Sequence, residues 1–202
     1  DDLPPSLSID DVTVTEGTGG SVDAVFTVSL DAPSAGTVTV DYATAEGSAV
    51  AAADYTAGSA TTLTFNPGVV TRTMTVTVQS DALDEPDEDF FVDLSNPSNA
   101  TISDNQGQGA ILDDDATPAL SIDDVTVTEG TSGTVDAVFT VSLDAPSGQT
   151  VSVDYATADN TAVAPADYTA LPITTLTFIP GVTTPTITVT VQGDTLDETD
   201  ET

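Results

Sequence analysis

Residues 7–30 read LSIDDVTVTEGTGGSVDAVFTVSL, and residues 120–143 read LSIDDVTVTEGTSGTVDAVFTVSL, so one segment occurs twice at a period of 113 residues with two substitutions, Gly19/Ser132 and Ser21/Thr134. The alternation within it carries the fold. In VTVT from Val12 and VFTVSL from Val25, apolar residues take every second position, the period of a strand with one buried and one wet face. TLTF from Thr62 and TMTVTV from Thr73 repeat the pattern, and no helical period of 3.6 persists beyond a turn. Turn signals separate these runs at Asp31-Ala-Pro, Asn66-Pro-Gly, Asn96-Pro-Ser and, in the second copy, Pro180-Gly.

The first copy is predicted to form strands at 7–15, 23–30, 37–44, 61–65, 71–79, 89–94 and 108–112. The second has matching strands at 120–128, 136–143, 150–157, 174–178 and 184–192, and then reaches Thr202 where a sixth would begin. The pattern implies an all-β chain of tandem immunoglobulin-like antiparallel β-sandwiches, the second truncated. Residues 1–6 read as the tail of a preceding repeat, because Asp1 and Asp2 correspond to Asp114 and Asp115. Residues 7–115 form domain 1, 116–119 a short proline-containing linker that favours a semi-rigid junction, and 120–202 a domain 2 lacking its last two strands. The whole reads as a window from a longer tandem array.

Charge excludes several function classes. Thirty-four acidic residues face one basic residue, Arg72, for a net charge of −33, with no histidine or cysteine. Such a chain repels nucleic acid and anionic lipid, and no stretch approaches a membrane span. Disulfides, thiol chemistry and Schiff-base chemistry have no residues to use, and no nucleophile has a basic neighbour, so the chain reads as no enzyme. Paired carboxylates can cleave glycosides, but here they lie in acid-only clusters without an aromatic sugar platform.

The acids gather at strand ends: Glu16, Glu46, the run SDALDEPDED from Ser80 to Asp89, and the triplet Asp113, Asp114 and Asp115. In a sandwich, loops cluster at two ends, so these groups can converge, and convergence without a cation is repulsive. Ca2+ takes six to eight oxygens and tolerates irregular geometry, which suits carboxylates drawn from several loops better than the small octahedron of Mg2+ does. Scattered acids such as Asp23, Asp93 and Asp136 read instead as solubilising surface. Asn99-Ala-Thr is a glycosylation sequon, and the recurring Tyr42, Tyr55, Tyr155 and Tyr168 read as core and corner residues.

V-T-V-T-E-G, V-D-Y-A-T-A-E-G-S-A with the later A-D-Y, L-T-F-N-P-G, D-A-L-D-E-P-D-E-D-F and I-L-D-D-D, in that order, resemble the Calx-beta domain. Modules of that family occur in the regulatory region of sodium/calcium exchangers and in bacterial surface proteins. The resemblance covers residues 7–115 fully and 120–202 as far as they go. It implies Ca2+ as cofactor, held at one end of the sandwich by Glu16, Glu46, Asp81, the carbonyl of Leu83, Glu85, Glu88, Asp113, Asp114 and Asp115. In the second copy it implies Glu129, Asp159, Asp194, Leu196, Glu198 and Glu201. Ser80 and Gln192-Gly193 depart from the family's more acidic pattern.

The expected function is a calcium-binding structural or adhesive repeat of a secreted or cell-surface protein, forming a calcium-stiffened stalk or filament. Its partners would be further copies of the repeat, in cis or in neighbouring subunits, and a cell-surface or matrix adhesion target, with no nucleic acid and no membrane insertion in this segment. The alternatives are a calcium-sensing regulatory domain of a membrane transporter, and passive spacing by an acidic protein in high salt.

Overall fold

The computed structural model describes residues 3–196 and 199–202, and the chain divides into unit 1, Asp1–Asp115, and unit 2, Ala116–Thr202. The reading of Asp1 and Asp2 as a repeat tail falls outside the described residues. No helix among the described residues is long and apolar enough to cross a membrane.

The described residues of unit 1 form nine strands: β1 Ser6–Ile9, β2 Val12–Thr15, β3 Gly20–Leu30, β4 Val38–Glu46, β5 Thr61–Phe65, β6 Thr71–Ser80, β7 Glu88–Ser98, β8 Thr101–Ile102 and β9 Gln106–Leu112. One sheet has the order β6-β3-β1-β8 and the other β2-β9-β7-β4-β5. The expected sandwich is therefore present, with two parallel pairs, β1 with β8 and β2 with β9, among antiparallel ones.

The predicted strand 7–15 is divided between the sheets. Leu7 and Ile9 face the core as partners of β3, and after Asp10 and Asp11 the chain crosses to pair with β9. Each aspartate holds a different sheet: the Thr27 N–H donates to Asp10 Oδ1 at 2.6 Å, and the Gln108 N–H donates to Asp11 Oδ1 at 2.8 Å. Two adjacent polar residues break the period-two alternation and shift its phase, which lets Val12 and Val14 turn inward on the second sheet.

Asn96-Pro-Ser, read as a turn, lies inside β7. The ladder with β4 shifts there, Asn96 adopts φ 50°, and its Nδ2 donates to Asp41 Oδ2 at 3.1 Å, so the extra residue is absorbed as a bulge. Asn66-Pro-Gly is a turn as read: the Val69 N–H donates to the Asn66 carbonyl at 2.9 Å with Gly68 at φ 80°, where glycine carries no Cβ penalty.

The inward residues of both sheets make one core. Phe90 lies at its centre, fully buried, stacked on Tyr55 at 4.7 Å between centroids and edge-on to Phe26 at 5.9 Å. Gly109 permits this, since a Cβ at that position would stand 2.4 Å from Phe90 Cζ.

Unit 2 contains β10 Leu120–Ile122, β11 Gly133–Leu143, β12 Val151–Tyr155, β13 Thr174–Phe178 and β14 Thr186–Gly193, arranged as β10-β11-β14 and β12-β13. The predicted strand 120–128 ends at Ile122. Residues 125–128 repeat β2 in sequence and form no strand among the described residues. The core is correspondingly split into a cluster around Val141, Leu143, Phe178 and Ile187 and another around Ala137, Tyr168 and Val189. Leu120 and Ile122 are 41% and 59% exposed, whereas their counterparts Leu7 and Ile9 are 0% and 5%.

Candidate metal centre

Topology brings the acids of unit 1 to one end. Because β2 and β9 run parallel, both leave the sheet at the same end, and Glu16 and Asp113 emerge side by side. The Glu16 N–H donates to the Leu112 carbonyl at 3.1 Å, extending the ladder by one residue. Gly17, at φ 79°, then turns the chain and donates its N–H to Asp114 Oδ1 at 3.0 Å. The Ser80 hydroxyl at the end of β6 donates to the Glu16 carbonyl. The loop from β6 to β7 thus joins the same end. It is pinned by two Asx contacts: the Leu83 N–H on Asp81 Oδ1 at 2.8 Å and the Asp113 N–H on Asp87 Oδ1 at 3.0 Å.

Carboxylate oxygens of Glu16, Asp113 and Asp115 lie within 4.8 Å of one another. Glu16 is buried, at 8% exposure, and Asp113 Oδ1 and Asp115 Oδ2 are buried atoms with no hydrogen-bond partner. A buried acceptor left unpaired is costly, and three carboxylates this close repel. Burial, followed by the charges of Asp81, Asp113 and Glu85, pushes Glu16 from its ordinary 4.5 up to about 7. Glu85 is raised by burial and then by Asp81 and Asp54, and Asp115 by desolvation and then by Asp113 and Asp114. Glu88 is pushed from 4.5 to about 7 by burial and by Asp54, whose carboxylate it meets directly. The one basic residue of the chain, Arg72, is used elsewhere, its Nε donating to the Thr64 carbonyl at 2.9 Å.

The structure therefore gathers Glu16, Asp81, Glu85, Asp113, Asp114 and Asp115 at this end, with Glu88 beside them through Asp54. Glu46 closes β4 opposite Phe90, exposed, and its charge bears on Tyr55, whose phenol is raised first by burial and then by Glu46. Asp54 was missed by sequence reasoning. Its Oδ2 accepts the Val50 N–H at 2.5 Å, holding it beside Glu88. The signal was present as the A-D-Y triplet that recurs at residues 53–55 and 166–168.

Among the described residues, unit 2 brings fewer of its acids together. Glu201 is raised by desolvation and then by Asp167 and Glu129, so these three share one place. Asp159 Oδ1 accepts the Ala164 N–H at 3.0 Å and the Tyr168 hydroxyl at 2.7 Å, which holds its carboxyl below the ordinary range. Asp194 makes the same Asx contact as Asp81, accepting the Leu196 N–H at 2.6 Å, and Leu196 is 67% exposed. Glu198 lies outside the described residues. Gly193 replaces Ser80, and a Cβ there would stand 2.5 Å from the Glu129 carbonyl, so the two backbones approach more closely than a serine permits.

Every donor at this end of unit 1 is a hard oxygen, and the chain has no imidazole or thiolate to offer. Orphaned buried carboxylate oxygens, several negative charges and irregular spacing fit Ca2+.

The model of the Calx-beta domain matches residues 4–115 and again residues 113–202. No curated protein sequence matches the chain. Among solved structures, the chain resembles CBD12 from CALX1.2, at 25% identity over 97% of this chain and 77% of that one with a TM-score of 0.50. It also resembles the calcium binding domain CBD12 of CALX1.1, at 25% identity over 90% and 74% with a TM-score of 0.49. The apo form of the Calx CBD1 domain aligns at 28% identity over 55% of this chain and 99% of that one, with a TM-score of 0.45. Two consecutive family matches on two units that share one repeated sequence make this chain a member of the Calx-beta family.

Proposed function

We propose that the chain is a calcium-binding regulatory module whose principal site is the acidic end of unit 1. The observation that carries this reading is the pair of buried, unpartnered oxygens, Asp113 Oδ1 and Asp115 Oδ2, set against buried Glu16. A bound calcium ion would supply the positive charge that this end of the chain lacks. Glu16, Asp113 and Asp115 would hold it, with Asp81 and Glu85 contributing from the loop between β6 and β7, and Glu88 with Asp54 at its flank. Without a cation these residues share protons or repel, which loosens the loop. With their charge neutralised, the loop is drawn onto the ends of β2 and β9. At ten times Kd, one site adds about 1.4 kcal/mol to stability.

The family match and the likeness to CBD12 from CALX1.2 support a calcium-sensing setting in a membrane transporter over the stalk or filament expected from the repeat. That setting would place the pair on the cytoplasmic side, against the extracellular location first expected. The two settings differ in affinity: sensors bind calcium with Kd of about 10⁻⁷–10⁻⁵ M, extracellular modules about 10⁻⁴–10⁻³ M. Calorimetric titration, with thermal melting in calcium, magnesium and sodium at matched ionic strength, tests both levels. Calcium should raise the melting temperature by several degrees more than magnesium does. An equal response to sodium would overturn calcium binding, and a millimolar Kd would return the stalk reading.

A further inference from the structure

Three hydrogen bonds around the carboxylate cluster of unit 1 tie its segments into a closed ring. The Ser80 hydroxyl, at the end of β6, donates to the Glu16 carbonyl. The Gly17 N–H donates to Asp114 Oδ1 at 3.0 Å, and the Asp113 N–H donates to Asp87 Oδ1 at 3.0 Å, which closes the circuit on the loop that Ser80 begins. The partners lie 64, 97 and 26 residues apart in sequence, so each contact joins a different pair of the three segments 16–17, 80–88 and 113–115. Glu16 and Asp113 are held in this ring through the main chain, one by its carbonyl and the other by its N–H. Their carboxylates are left to face one another, with Asp113 Oδ1 buried and without a partner. A nearby acid of β7 is used in the opposite way: Asp89 Oδ1 accepts the Ser48 N–H and hydroxyl and its Oδ2 accepts the Gln108 side-chain amide, so both of its oxygens are spent on protein donors.

We propose that Ser80 and Asp87 are positioning residues of the calcium site: neither holds the ion, and each sets the affinity by fixing the backbone of a residue that does. The inference rests on the calcium reading of the acidic end. Neither residue belongs to the group of Glu16, Asp113 and Asp115, whose oxygens lie within 4.8 Å of one another. Asp87 is exposed and meets Asp113 only at the N–H, and Ser80 offers a donor to Glu16 where a carboxylate would set acceptor against acceptor. Partners behind a metal ligand orient it, and their loss typically costs about 10–100-fold in metal affinity. Orientation is demanding here because Glu16, Asp113 and the loop from β6 to β7 come from separate parts of the chain. Fixing their backbones before the ion arrives removes an ordering cost that binding would otherwise carry.

The test titrates the full chain with calcium and follows the Gly17 and Asp113 amide resonances, which report on unit 1. Asp87→Ala and Ser80→Ala should each weaken binding about 10–100-fold. Asp87→Asn keeps the acceptor oxygen and removes the charge, Ser80→Thr keeps the hydroxyl, and both should retain the wild-type affinity. Asp23→Ala, an exposed acid of β3, should also leave it unchanged and controls for net charge. Unchanged affinity in the two alanine variants overturns the proposal, as does equal weakening by Asp87→Asn and Asp87→Ala, since the charge and not the hydrogen bond then matters. Amide exchange in the calcium-free chain separates this proposal from the calcium reading: Asp87→Ala should speed exchange at Asp113, and Asp87→Asn should not. That pattern in a chain that takes up no calcium would sink the calcium reading and the proposal with it. Calcium uptake with exchange at Asp113 unaffected by Asp87→Ala would sink the proposal alone.

Discussion

Glu16 and Glu129 occupy the same place in nearly identical 24-residue segments, yet Glu16 is buried among unpartnered carboxylate oxygens and Glu129 is half exposed. The same divergence appears in the hydrophobic interior, where Leu7 and Ile9 are sealed while Leu120 and Ile122 face solvent. Local sequence is held constant in both comparisons. In unit 1, β7 and β9 close the core and deliver Asp113 to Asp115 beside Glu16. Strand closure and the acidic centre are therefore one structural event: β9 seals the sandwich with Ile111 and carries its triplet to the end of β2 in the next few residues.

The largest expected effect comes from breaking that closure in unit 1. Phe90→Ala removes the ring that joins Phe26, Tyr55 and Gly109, and should cost about 3–5 kcal/mol in urea unfolding of unit 1. Unit 1 should then resemble unit 2, with faster amide exchange in β2 and a weaker calcium response. A cost below about 1 kcal/mol would separate the core from the site and end the comparison.

A second effect concerns pH in the absence of calcium. Glu16 and Glu88 are raised in the folded chain from 4.5 to about 7, so the folded state retains protons that the unfolded state has released. Their contribution to stability is complete below about pH 4.5 and is lost as pH rises through about 7. The melting temperature of calcium-free unit 1 should fall across that window, and Glu16→Gln should flatten the fall. Saturating calcium should reverse the slope, because the ion then competes with protons. A calcium-free melting temperature that rises over the same window would show that these carboxylates are not held together.

The smallest effect distinguishes Glu46 from Asp159, which share a repeat position. Asp159→Ala removes the acceptor for the Tyr168 hydroxyl and the Ala164 N–H, and should lower the melting temperature of unit 2 by a few degrees. Glu46→Ala should leave unit 1 within about one degree, since exposed substitutions away from packed features are nearly neutral.

Much of the fold was legible in the residues. Strands β3, β5 and β6 and their turns follow from period-two alternation and from Pro-Gly signals, because a pleated half-buried surface imposes that pattern on side chains. The crossing at Asp10 and Asp11 was legible only in hindsight, as a phase shift between Leu7, Ile9 and Val12, Val14. Which sheet each half joins depends on Thr27 and Gln108, far along the chain. The bulge at Asn96 was misread for a similar reason, since Asn-Pro favours a turn locally and the ladder with β4 holds the chain extended. Most of the acids of the candidate centre were found because runs of carboxylate at strand ends are conspicuous. Asp54 was not, because a single aspartate before a tyrosine carries no charge pattern of its own.

By itself the sequence determined that this chain is all-β, repeated, intensely acidic and bare of the side chains that histidine, thiol or lysine chemistry needs; composition and alternation are local properties. The tertiary structure decided which acids meet. Parallel pairing of β2 with β9 sets Glu16 beside Asp113 and Asp115 across nearly a hundred residues, and burial there raises the carboxyl of Glu16 toward neutrality. At the same motif in unit 2 the glutamate is half exposed, because desolvation and repulsion arise from neighbours in space and no residue carries them in its own identity.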